Sequence, residues 1–191
     1  MDKNIKKPKF LDFLKKRQSI RKFSNKPVER DKIERCLEAA RLAPSASNSQ
    51  PWFYIVIDDP KLREKIAKET FGAFVSFNSF SLQAPVLIVV ITENSNFKAK
   101  IGGMIKNKKY NHTDIGFSMS YLCLQAVEED LGTCVLGWFD ESGIKKILDI
   151  PKKLTIDFII TIGYPDSNEI RPKIRKPIKE IRAYNSYKFD A

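Results

Sequence analysis

The sequence is poor in the residue types that build metal centres and disulfide frameworks. Its 191 residues include three cysteines and one histidine. Cys36, Cys123 and Cys134 stand far apart, without a C-x-x-C pair, so the ligand spacing of a zinc or iron–sulfur site is missing. An odd number of cysteines without a secretion signal indicates reduced thiols, and we expect no bound metal.

Long apolar runs are missing as well. The longest, residues 84–92, is shorter than the roughly 18 residues that a membrane span needs. The lysines near the N-terminus are not followed by the apolar stretch of a secretory signal. We therefore expect a cytoplasmic protein without membrane contact, folded as a single domain over residues 1–191.

Common catalytic signatures are absent too. The chain has no G-x-G-x-x-G loop after a strand and no Walker A loop, which argues against Rossmann and P-loop nucleotide sites. His112 lies in a polar stretch, where a surface or helix-capping role fits better than a Ser–His or Cys–His pair. Hydrolytic chemistry is therefore not predicted.

The chain is rich in positive charge, with 34 lysines and arginines against 23 acidic residues, a net charge of +11. Such a surplus favours anionic partners: nucleic acid, a membrane surface or phosphorylated ligands. Arg17, Ser19 and Arg21 alternate in a stretch typical of extended chain, so they project to one side and suit a phosphate clamp. Lys173 and Arg175 repeat that spacing. Solvated surface charge remains an alternative for either cluster.

Hydrophobic periodicity predicts a mixed chain of helices and strands. The helices are expected at residues 10–17, 29–42, 61–71, 115–130 and 141–148, and the strands at 52–58, 86–92, 133–139 and 154–163. Asp114 is predicted to cap the longest helix. The lysine-rich residues 93–111 show no clean period and predict a loop or lid.

The longest predicted helix has two apolar faces. Ile115, Met119 and Leu122 belong to one face, and Phe117 and Tyr121 belong to the other. A helix that is apolar on most sides is buried on most sides, which indicates a subunit interface in a protein of this size. The charged tail from residue 166 still carries isoleucines and tyrosines, and it predicts an arm that lies on a partner subunit.

Four stretches, in order along nearly the whole chain, resemble the signatures of the FMN-dependent nitroreductase family. They are residues 17–23, 43–52, 114–116 with 131–139, and 173–177. The resemblance implies an α+β, nitroreductase-like fold. Its central, mainly antiparallel sheet would be flanked by helices, with a long buried interface helix and an extended C-terminal arm at about 166–191.

The resemblance also implies a homodimer with FMN at the subunit interface. The phosphate and ribityl end would be bound by Arg17, Gln18, Ser19, Arg21, Lys173 and Arg175. The flavin edge would face the loop of the other subunit, with Pro44, Ser45, Ala46, Ser47 and Asn48 supported by Gln50. Asn78 would bond the ring, and the backbone of Leu136, Gly137 and Trp138 would face flavin N5.

Two positions depart from the pattern of the family. Ser81 stands where some members carry a lysine that reaches the flavin, and Leu136 stands where others carry a glutamate. The pocket over N5 is therefore expected to be less polar.

The resemblance implies ping-pong hydride transfer through flavin N5 without a catalytic side chain. NADH or NADPH would donate electrons, and nitroaromatics, quinones or similar acceptors would receive them. Alternatives with the same fold are a dehalogenase, an azoline-type oxidase or a flavin carrier. A basic nucleic-acid-binding protein is a further alternative, although no recognised binding module occurs and we expect no nucleic-acid partner.

Overall fold

A four-stranded sheet lies at the centre of the computed structural model, which describes residues 10–72, 76–93 and 110–187. Its strands are β1 (Trp52–Ile57), β2 (Val86–Thr92), β3 (Gly132–Leu136) and β4 (Thr155–Gly163). The spatial order is β1-β2-β4-β3, and each neighbouring pair is antiparallel. The predicted antiparallel sheet is therefore confirmed.

The helices are α1 (Phe10–Lys16), α2 (Arg30–Arg41), α3 (Pro60–Lys68), α4 (Tyr110–Glu128) and α5 (Glu141–Ile147). The α+β class is confirmed. Asp59 caps α3 by accepting from Leu62 N, and Asp140 caps α5 by accepting from Ser142 N and Gly143 N, as predicted.

Both faces of the sheet are covered, because the central strands β2 and β4 are rich in β-branched residues that pack on two sides. On one face, Ile66 of α3 and Ile144 of α5 belong to the core. On the other, Ile33 of α2 and Leu122 of α4 pack against the sheet. The edge strands position two loops: β1 follows the loop that contains residues 46–48, and β3 precedes the turn at Gly137.

The start of α4 differs from the prediction. The helix begins at Tyr110, so Asp114 lies inside it and does not cap it. The sequence there is polar, but His112 Nδ1 lies 3.1 Å from Asp157 Oδ1 on β4, and this tertiary contact holds the first turn. The predicted lid 93–111 thus loses its last two residues to the helix. Residues 94–109 lie outside the described residues.

Strand β3 ends at Leu136, three residues before the predicted end. Leu136 is the last residue in register with β4, opposite Ile159, and the chain leaves the sheet at Gly137. The other predicted elements differ by no more than three residues at either end, the usual uncertainty of helix and strand ends.

Exposed apolar side chains occur, among other places, on α4 and in the C-terminal tail. On the outer face of α4, Phe117 and Tyr121 are 47% and 42% exposed, while the inner face is buried. In the tail, described up to residue 187, Ile174 and Tyr187 are each 92% exposed, and its only regular element is a single 3₁₀ turn. Among the helices of the described residues, none is long and apolar enough to cross a membrane.

Candidate functional site

The segment after α1 lies along the outer edge of β3. Ile20 N donates to Thr133 O at 2.9 Å, and Ser19 forms a parallel bridge with Thr133. The Ile20 side chain is buried in the core, whereas Arg21 is exposed. Because neighbours in an extended chain face opposite sides, Ser19 and Arg21 share the side opposite Ile20. Arg21 lies in solvent there, whereas Ser19 is half-buried and its hydroxyl approaches the buried Cys134 thiol.

The C-terminal arm returns to this segment. Lys173 Nζ donates to Arg17 O at 2.6 Å, and Arg171 donates to the carbonyl oxygen of Ser19. Gln18 Nε2 donates to Glu169 O at 2.7 Å, and Gln18 Oε1 accepts from Arg171 N at 3.2 Å. The amide of Gln18 therefore ties the arm to the N-terminal segment. Residues 17–20 and 169–173 therefore meet at the edge of β3.

The two segments bring together five cations, which we call the cation cluster: Arg17, Arg21, Arg171, Lys173 and Arg175. No ion pair between described residues includes any of them. The pKa of Lys173 is lowered, first by burial and then by repulsion from Arg17, Arg175 and Arg171. Cations held together without acidic partners suit a phosphate, which accepts several charge-assisted hydrogen bonds.

Asn78 and the turn after β3 lie close together beside this cluster. Asn78 is buried, and its Nδ2 donates to Trp138 O at 3.1 Å. The guanidinium of Arg21 lies 6.0 Å from the ring centre of Phe80, two residues after Asn78. Gly137 is exposed, and a side-chain carbon added there would touch only the Phe158 ring, at 3.8 Å, so its backbone is accessible to a ligand.

Leu136 and Ser81 point away from this surface. Leu136 is buried in the core, so only its backbone can face a ligand. Ser81 is fully buried, and its hydroxyl lies 2.8 Å from Thr70 Oγ1. The position that carries a lysine in some nitroreductases is thus a packing position in this chain.

The loop that precedes β1 has an unusual backbone. Ser47, Asn48 and Gln50 have φ angles of 52°, 51° and 45°, in the left-handed region that residues other than glycine rarely adopt. Gln50 Nε2 donates to Asn48 Oδ1 at 3.1 Å, and Gln50 N donates to Ser45 Oγ at 3.0 Å. Such strain persists where the surroundings enforce it, and it concentrates at functional sites. Pro44, Ser47, Asn48 and Gln50 are exposed, whereas Ser45 and Ala46 are half-buried.

Within one chain, this loop and the cation cluster lie at opposite corners of the sheet. The loop enters β1 at Trp52, opposite Thr92, whereas Thr133 on the other edge is in register with Ile162, opposite Val86. Three strand spacings and six residues along β2 separate the corners by about 24 Å. The structure therefore brings the predicted site residues together in two separate groups.

The remaining reactive side chains do not add a third group. Burial raises the pKa of the Cys36 thiol to about 12, and it also raises the pKa of Cys123 and Cys134, which makes all three poor nucleophiles. His112 is paired with Asp157. The described residues contain no cluster of histidine, cysteine and acidic side chains suited to a metal ion.

Sequence reasoning missed the parts played by Arg171 and Asp114. Arg171 joins the cation cluster through contacts with residues more than 150 positions away in the chain. Asp114 binds the loop before β1. The charge of Arg171 in the basic tail was a signal, but its partner could not be read from the sequence.

Comparisons with known proteins agree with this architecture. The model of the Nitroreductase family matches residues 14–164. A putative NADH dehydrogenase/NAD(P)H nitroreductase of Methanothermobacter thermautotrophicus is 30% identical over 88% of this chain and 83% of its own length. An iodotyrosine deiodinase of Thermotoga neapolitana is 26% identical over 92% of this chain and 97% of its own length. The solved structure of an FMN-dependent nitroreductase of Clostridium difficile is 30% identical, with a TM-score of 0.71 over 92% of this chain and 98% of that one.

Proposed function

The chain belongs to the Nitroreductase family and is an oxidoreductase, and we propose that it is FMN-dependent and uses NADH or NADPH to reduce nitroaromatics, quinones or similar acceptors. The observation that carries this proposal is the cation cluster, which both ends of the chain supply and no described acid neutralises. A group of cations that repel one another, with Arg17 and Lys173 half-buried, calls for a strong anion.

The described residues fit FMN at this position. Arg17, Ser19 and Arg21 would hold the phosphate, joined by Lys173 and Arg175 from the arm. Asn78 and the open backbone at Gly137 lie beside the cluster, where the flavin ring would follow the phosphate. When bound, the flavin supplies the hydride chemistry at N5, and the protein supplies binding and orientation.

We further propose that two copies of the chain complete the site. The loop before β1 is about 24 Å from the cation cluster of its own chain, so the same loop of a second copy would complete the ring pocket. The exposed outer face of α4 and the exposed apolar side chains of the arm supply surface for such a homodimer. Asn48 would then face the ring of the neighbouring subunit and stabilise charge that develops on it during reduction.

The individual residues have separate tasks in this proposal. The cation cluster would anchor one end of the cofactor, and Asn78, which fixes the turn at Trp138, would hold that turn beside the ring. The left-handed backbone of Ser47 and Asn48 presents the loop to the ring. The fully buried Ser81 contributes no polar contact to the ring, so reactivity depends on the remaining donors.

The experiment is direct. Purified protein should be yellow, should release FMN on denaturation and should consume NADH or NADPH when a nitro compound or a quinone is present. Arg21→Gln should weaken FMN binding, whereas Lys22→Gln removes the same charge from the adjacent side chain and should not. A colourless protein that binds no added FMN would overturn the proposal. A salt-dependent shift of nucleic acid by flavin-free protein would favour a nucleic-acid-binding role for the cations instead.

Reductive dehalogenation is a second candidate. The iodotyrosine deiodinase of Thermotoga neapolitana matches almost the full length of both chains, and its 26% identity equals that of a putative NAD(P)H nitroreductase of Streptococcus pyogenes, so it supports this chemistry too. Iodide release from iodotyrosine by reduced protein, measured beside reduction of a nitro compound, separates the candidates. Rapid iodide release with slow nitro reduction would favour the dehalogenase.

A further inference from the structure

The loop before β1 is held by a buried acid on α4. Ala46 N lies 3.2 Å from both carboxylate oxygens of Asp114, and Ser49 Oγ donates to Asp114 Oδ2 at 3.4 Å. Asp114 is only 3% exposed. Its two loop partners flank the turn that contains Ser47 and Asn48, so one carboxylate fixes both sides of the strained backbone.

A buried carboxylate by itself contributes little to the stability of a fold. Removing a charge from water carries a desolvation penalty, which is normally offset by a cation. Between the residues that the structure describes, no ion pair includes Asp114. Its compensation comes from the loop N–H and hydroxyl groups, so the acid and the loop conformation depend on each other.

The loop needs such a partner because its backbone is disfavoured. Three of its residues have left-handed φ angles without being glycine, a conformation that costs free energy and persists where contacts enforce it. The contacts of Gln50 are internal to the loop and move with it. Asp114, on the rigid helix α4, supplies a reference point outside the loop.

We propose that Asp114 is a positioning residue that holds the Ala46–Asn48 turn in the conformation in which it receives the flavin ring. This inference rests on the proposed function, since the flavin is the ligand that the loop would meet. Asp114 itself touches no cofactor in this proposal. It acts through the backbone of Ala46 and through Ser49.

The test compares Asp114→Asn with Ser118→Ala. Ser118 lies one turn further along α4, is fully buried and donates to Ala40 O at 2.7 Å, but none of its described contacts reaches the loop. Both variants remove buried hydrogen bonds from the same helix, so both should lower the melting temperature. Asp114→Asn keeps the size of the side chain and removes its charge and one of its acceptor oxygens.

Two measurements on the purified holoprotein separate positioning from stability. The rate of flavin release after dilution, followed by the rise in free-flavin fluorescence, should increase about tenfold in Asp114→Asn, equivalent to about 1.4 kcal/mol. Hydrogen exchange at the Ala46 and Gln50 amides should accelerate in the same variant. Both quantities should stay at wild-type values in Ser118→Ala.

Unchanged flavin release in Asp114→Asn, with the same loss of melting temperature as Ser118→Ala, would overturn the inference and leave Asp114 a structural residue. If Asp114→Asn does not fold, Ser49→Ala removes one loop donor and leaves the acid in place, and it should speed release in the same direction. A wild-type protein that holds no flavin would refute the proposed function, while exchange at Ala46 and Gln50 would still test the positioning contact.

Discussion

Gly132→Ala is the sharpest test of how the N-terminal segment is fixed on β3. A methyl group at Gly132 would lie 2.8 Å from Ile20 Cβ and 3.1 Å from Ile20 Cγ2, against an ordinary carbon–carbon contact of about 3.5–4.0 Å. Ile20 is pinned by its N–H bond to Thr133 O and by the core. The new methyl must therefore displace Ile20 together with its neighbours Ser19 and Arg21.

The magnitude follows from two opposing effects. Overpacking a well-packed position costs about 1–3 kcal/mol. Replacing glycine by alanine restricts the unfolded chain and offsets about 0.4–1 kcal/mol of that cost. We expect a net loss of about 1–2 kcal/mol, which lowers the melting temperature by about 2–8 °C for a chain of this size.

The matched control is Gly116→Ala on α4. An added Cβ there meets nothing within 4 Å, and alanine is a better helix former by about 1 kcal/mol, so this variant should be slightly more stable. Thermal unfolding and FMN titration are the assays. Gly132→Ala should bind FMN more weakly although it removes no charge. Wild-type stability and FMN affinity in Gly132→Ala would show that the contact between Ile20 and β3 does not position Ser19 and Arg21.

Three further predictions concern the charges and the proposed interface. Lys173→Gln removes the donor to Arg17 O and one cation of the cluster, so FMN affinity should fall about tenfold in a fluorescence titration, and an unchanged affinity would count against the clamp. Tyr121→Glu places a charge on the outer face of α4 and should convert the proposed dimer to monomers in analytical ultracentrifugation; a persisting dimer would place the interface elsewhere. Glu129 has its pKa lowered from 4.5 to about 2, chiefly by the hydrogen bond from Arg35, so the stability that it contributes is present above about pH 4.5 and lost as pH falls towards about 2. In Glu129→Gln, the free energy of unfolding should fall less between about pH 4.5 and about pH 2 than in the wild type. The same fall in both proteins would contradict this assignment.

The fold was largely readable from the sequence because its signals are local. The β-branched runs of β2 and β4 and the helical period of α2 depend on neighbouring residues alone. The start of α4 was not readable, because its polar first turn is held by the contact of His112 with Asp157, 45 residues away. Tertiary contacts of this kind override local preference.

Part of the candidate site could also be predicted from local sequence, and part of it could not. The alternation of Arg17, Ser19 and Arg21 is a local pattern, and the structure places this segment extended along β3. The tether between Gln18 and Arg171 spans 153 residues, and no local pattern encodes it. Asp114 was expected at a helix end because acids are common there, whereas its actual partners lie in a loop 68 residues earlier.

The separation of the loop from the cation cluster has a thermodynamic consequence. If each bound flavin contacts one chain through its phosphate and the other through its ring, ligand and partner stabilise one another by the same factor. Flavin loading would then rise with protein concentration, and added FMN would drive assembly of dilute chains. The amount of cofactor in a cell would thereby set how much of this protein exists as an active pair.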